Sequence, residues 1–204
     1  MVSSKLFWVL ACGFFFAFPL LKSVQRELPA KLPVYGVVPY FTFTDELGNS
    51  FGTGNLKGRV YVANFMFTSC QTMCPVLMKQ VQTVQHRLRG VLDRAAIVSF
   101  TVDPETDSSE VLYSKARELN ANPAVWKFLR APIGETKKLL VDGFKVPVGD
   151  KEVAESIMDV AHSNKFVLVD QSGQIRGYYN SDKKGINHMM LDAGLIINES
   201  KDIN

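Results

Sequence analysis

Val60 to Phe67 reads Val-Tyr-Val-Ala-Asn-Phe-Met-Phe, an apolar run broken only by Asn64. A run of this length suits a strand buried on both faces, and such a strand needs cover from two sides. It leads into Thr68-Ser69-Cys70-Gln71-Thr72-Met73-Cys74-Pro75. Pro75 fits the first turn of a helix, where a missing N–H costs nothing. Val76, Leu77, Val81, Val84 and Leu88 then recur at helical spacing until Gly90. The chain therefore delivers two cysteines to a strand-to-helix junction.

The same alternation continues downstream. Phe41-Thr42-Phe43-Thr44 alternates as a strand does and Glu46-Leu47-Gly48-Asn49 supplies a turn. Ala95 to Val102 predicts a second buried strand, and Asp107-Ser108-Ser109-Glu110 has the spacing of a capping box for a helix reaching about Leu119. Trp126 to Leu129 predicts a short strand and Glu135 to Val141 a short helix. Phe166–Val169, Asp170–Gly173 and Gln174–Tyr179 predict strand, turn and strand. Ile186 to Ile197 closes the chain as an amphipathic helix. Strands alternating with helices and finishing in a hairpin plus helix point to an α/β sandwich of the thioredoxin kind.

The first thirty residues differ in character. Leu6 to Leu21 is an uncharged run of sixteen residues between Lys5 and Lys22. That is slightly short of the roughly 17–25 residues of a spanning helix and longer than many cleavable signal cores, so an uncleaved anchor is the favoured reading beside a signal peptide. Val9-Leu10-Ala11-Cys12 loosely matches a lipoprotein cleavage box, although apolar residues continue past it. All three readings are compatible with a domain outside the cytoplasm, where a cysteine pair can oxidise. Residues 1–28 are read as this segment and its linker, and 29–204 as one domain. A chain of 204 residues, 47% hydrophobic and 21% charged, is long enough for such a core, and a net charge of +3 with scattered Lys and Arg leaves no nucleic-acid footprint.

Cys70 and Cys74 are the only cysteines after Cys12. On a helix, positions i and i+4 share a face with Cβ atoms roughly 5–6 Å apart, so both sulfurs can meet one ion. A disulfide needs Cβ atoms at roughly 3.5–4.5 Å, within reach of a slightly unwound helix start. Both chemistries stay open on spacing alone, with a modest preference for metal. Cys70 near the helix N-terminus is expected to ionise readily. His162 precedes the strand at Phe166, and in a thioredoxin-like fold that loop lies beside the cysteine-bearing helix. Two thiolates and an imidazole make a soft, three-coordinate set suited to Cu(I), whereas structural zinc usually takes four ligands.

Phe65 to Pro75, Thr101-Val102-Asp103-Pro104-Glu105-Thr106-Asp107, Ala161-His162-Ser163, Phe166–Asp170 and Gly173–Tyr179 together resemble the Sco/SenC family, in the family's order, over residues 35 to 198. The resemblance implies a membrane-anchored, thioredoxin-like copper protein that helps assemble the dinuclear copper centre of cytochrome c oxidase. Its ligands here would be Cys70, Cys74 and His162. Its partners would be the oxidase's copper-bearing subunit, with another copper chaperone or a thiol reductase as further candidates, and its place the periplasmic side of the membrane in a bacterium. One departure stands out: many members carry an acidic residue before the histidine, and this chain has Ala161, which alters what orients the ring.

Two other function classes fit parts of the pattern. In a thiol–disulfide oxidoreductase Cys70 would attack a partner disulfide and Cys74 resolve it, with no need of His162. A thiol peroxidase fits poorly, because its threonine stands three residues before the cysteine and Thr68 stands two before Cys70. Met66 and Met78 are expected in the core and Met73 between core and site. His86 and His188 are expected at the surface or in structural roles. Asp103 is expected either beside the site or in a turn before Pro104, and Gly52, Gly54 and Gly58 in loop.

Overall fold

The computed structural model describes residues 32–70, 73–146 and 163–199. Its elements run β1 (Gly36–Val37), β2 (Thr42–Asp45), β3 (Ser50–Gly52), α1 (Thr53–Leu56), β4 (Val60–Met66), α2 (Met73–Arg87), a 3-10 turn (Arg89–Val91), β5 (Ala95–Thr101), α3 (Ser109–Glu118) and β6 (Trp126–Arg130). There follow α4 (Ile133–Lys137), continuing as a π-helical turn (Lys138–Gly143), then β7 (Lys165–Val169), β8 (Gln174–Asn180) and α5 (Lys183–Glu199).

The eight strands form one sheet in the order β1-β8-β7-β4-β5-β6-β2-β3. β4, β5 and β6 are parallel, and the β4–β5 register runs from Val60↔Ala95 to Met66↔Thr101. β7 lies antiparallel to β4 and pairs with β8 as the expected hairpin. Every residue of β4 and β5 is buried, because helices or loops cover both faces. On one face Tyr61, Ala63 and Phe65 of β4 join Phe41, Phe43, Phe100 and Phe144. Phe144 meets Phe65 and Phe100 edge to face, each at 5.4 Å between ring centres. On the other, Val60, Val62 and Met66 pack against Leu77, Val81 and Val84 of α2, Leu112 of α3 and Met189 of α5. Each such side chain taken from water contributes roughly 1.5–3 kcal/mol. This is the expected thioredoxin-like α/β sandwich.

Asn64, the polar break in β4, is fully buried and satisfied: Ser99 Oγ donates to its Oδ1 at 2.9 Å, and Trp126 Nε1 donates to Ser99 Oγ at 2.8 Å.

Four expectations need correction. Val76 is 63% exposed, and the buried stripe of α2 is completed by Met78 instead. Gly52 and Gly54 lie in β3 and α1 rather than in loop. A Cβ on Gly52 would stand 2.1 Å from the Phe41 carbonyl oxygen, so glycine is required there by contact between backbones. The cap of α3 is Ser108, whose Oγ accepts from Val111 N–H at 3.3 Å, and Asp107 turns inward. β1, β3 and α1 themselves, two to four residues each, had no expectation from the sequence.

Candidate metal centre

The carboxyl ends of β4 and β5 meet the amino ends of α2 and α3, and the cysteines lie there, where α/β sheets place their ligand sites. Phe67 to Cys70 leaves β4, with Cys70 N–H donating to the Phe67 carbonyl at 3.4 Å. Cys74 stands in the first turn of α2, and its N–H donates to Cys70 Sγ at 3.4 Å. The two sulfurs thus share one end of the helix, as thiols rather than as a disulfide. Cys70 is half-buried and Cys74 buried. Burial pushes the Cys74 thiol up to about 11, and the charge on Asp107 acts the same way to a smaller extent.

A cavity of about 120 Å3 adjoins both cysteines, lined by Met66, Phe67, Thr68, Met78 and the Lys115–Glu118 pair among others. Those two charges meet at 2.8 Å. Met66 and Met78 are core residues, as expected, yet they also wall this cavity.

Asp107 has no exposed surface. Thr68 N–H donates to both its oxygens at 3.2 Å, Thr68 Oγ1 donates to Oδ1, and Thr101 Oγ1 donates to Oδ2 at 2.5 Å. Sequence reasoning took this residue for a cap. The only hint of its place was an acid just past the second buried strand, opposite the cysteine loop.

His162 and Ala161 lie outside the described residues, as do Cys12 and the run from Leu6 to Leu21, and of Met73 only the backbone is described. Among the described residues no three His, Cys, Asp or Glu side chains gather as a metal cluster, and no helix is long and apolar enough to cross a membrane. Asp103 takes the turn role: its Oδ1 accepts from Thr106 N–H at 3.3 Å. His86 is exposed, and His188, also exposed, faces Asp192 at 3.7 Å and the edge of Tyr179.

Known proteins resemble this chain in sequence and fold. The chain is 31% identical to the SCO1 protein homolog of Bacillus subtilis (strain 168) over 147 residues, 72% of this chain and 74% of that one. The structure of BsSco, described as a member of the Sco family of cytochrome c oxidase assembly proteins with a disulfide switch, aligns with a TM-score of 0.68 at 27% identity, covering 82% of this chain and 96% of the other. ScoI of Bradyrhizobium japonicum, solved with copper bound, aligns with a TM-score of 0.62 over 79% of this chain and 99% of its own, and at 20% identity it attests the fold alone. Residues 31–192, which hold both cysteines, the buried Asp107 and the closing hairpin, match the SCO1/SenC pattern, and the chain belongs to the SCO1/SenC family.

Proposed function

We propose that this chain is a copper metallochaperone that holds its cargo on Cys70, Cys74 and His162 and assists assembly of the dinuclear copper centre of cytochrome c oxidase. The observation that carries this is the cysteine pair itself: two sulfurs one helical turn apart, linked through Cys74 N–H, at the end of a buried parallel strand. Soft thiolate donors beside a small recess suit a soft cation. The family membership supports that choice of metal, and the description of BsSco supports the oxidase as the destination. On this reading residues 1–28 are an anchor or signal segment with its linker, residues 29–204 are the copper-binding domain outside the cytoplasm, and the partner is the oxidase subunit that receives the copper.

The test is an anaerobic Cu(I) titration of the reduced full chain in mild detergent against a competing chelator, beside His162→Ala. One copper per chain is expected, held on the order of a hundredfold more weakly in the variant. Weak binding indifferent to the substitution would overturn the three-ligand reading.

One observation favours a second activity. Cys70 is half-exposed and Cys74 buried, the division of labour between an attacking and a resolving thiol. Cys70 thiolate would attack a partner disulfide, releasing one partner thiolate. Cys74 would then attack the Cys70 sulfur, closing the Cys70–Cys74 disulfide, releasing the second partner thiol and passing two electrons to the partner. This activity would survive His162→Ala unchanged.

A further inference from the structure

A buried carboxylate is uncommon unless fully paired, and Asp107 is paired in a particular way. Its donors come from two loops. Thr68, two residues before Cys70, supplies its backbone N–H and its hydroxyl. Thr101, at the end of β5, supplies its hydroxyl, and Thr101 Oγ1 in turn accepts from Asp103 N–H at 3.0 Å. Asp107 N–H donates back to the Asp103 carbonyl at 2.9 Å. One side chain therefore ties the loop after β4, which carries the cysteines, to the loop after β5.

A carboxylate is suited to this place because it accepts on both oxygens. An amide of the same size has one acceptor and one donor group. Because Thr68 N–H lies against both oxygens, the NH2 would meet it donor against donor whichever way the amide turned.

We infer that Asp107 is a positioning residue of the cysteine site: it clamps the Phe67–Cys70 loop to the β5–α3 loop and so fixes where Cys70 Sγ stands relative to Cys74. Its effect on metal rests on reading Cys70 and Cys74 as copper ligands, whereas its effect on the thiols does not. Groups that orient ligands change metal affinity by roughly 10–100-fold when removed.

The experiment compares the full chain in mild detergent with Asp107→Asn, with Thr68→Val, which removes only the hydroxyl leg, and with Ser99→Ala, whose hydrogen bonds run to Asn64 and Trp126. Two readouts are taken on protein shown to be folded by circular dichroism: Cu(I) affinity by competition, and the rate at which iodoacetamide alkylates Cys70 in the metal-free, reduced chain. Asp107→Asn should weaken Cu(I) about 10–100-fold and speed alkylation. Thr68→Val should move both in the same direction by less, and Ser99→Ala should lower the melting temperature while moving neither. Folded Asp107→Asn that matches the wild type in both readouts would overturn the inference, as would Ser99→Ala shifting them equally. If Asp107→Asn does not fold, Thr68→Val decides by the same criteria. If the wild type itself binds no copper, the chaperone reading falls and the alkylation rates alone decide the role of Asp107.

Discussion

As a ligand in the proposed copper site, Cys74 would couple copper to protons. Its thiol, pushed up to about 11 by burial, carries a proton at neutral pH, and a thiolate ligand has to lose it. On the proposed ligand set, copper binding through Cys74 would therefore release that proton, and apparent Cu(I) affinity should rise about tenfold per pH unit between pH 7 and 9 on this account alone. Competition titrations across that range check it; an affinity flat with pH would remove Cys74 from the ligand set. At the same scale, the sequence disclosed the two sulfurs because cysteine is rare in this chain. It hid Asp107, because an Asp-x-x-Glu spacing before a helix is the same whether the carboxylate turns out to cap or inward to clamp.

Between elements, a tight constraint is the approach of β3 to the segment entering β2 at Gly52. A Cβ there meets the Phe41 carbonyl and the Thr42 Cα, at 2.1 and 2.9 Å, both backbone atoms that cannot swing aside. Gly52→Ala should force the pair apart and cost about 1–3 kcal/mol, read as a lower midpoint in urea denaturation. Copper affinity should be unchanged, since this pair stands at the far edge of the sheet order from β4. Long elements were legible for a plain reason: β4, β5, β7 and α5 are runs whose apolar residues either fill most positions or recur at helical spacing. β1 and β3 were not, since two or three residues display no period. Val76 misled because it is apolar and adjoins Leu77, yet it lies off the stripe of Leu77, Met78, Val81 and Val84 that α2 buries.

Across the whole molecule, several buried acids share one sign. Cys74 rises from 9.0 to about 11 and Tyr178 from 10.0 to about 12, each chiefly by burial, and Tyr61 and Tyr179 are displaced further upward for the same first cause. Each is held neutral in the fold and ionises earlier in the unfolded chain. Their contribution to stability is thus complete below about pH 9 and is lost as pH climbs through 9 to 12. The melting temperature of the reduced, metal-free protein should be level between pH 7 and 8.5 and fall steadily above pH 9; a level profile to pH 11 would contradict these burials.

The sheet is bordered by a strand of two residues on one side and a strand of three on the other. Each stub presents few backbone groups of its own, although β1 covers only Gln174 and Ile175 of the seven residues of β8. On the proposed function, a copper acceptor would meet the molecule at the loop end holding the cysteines, where it can come and go without becoming part of the fold.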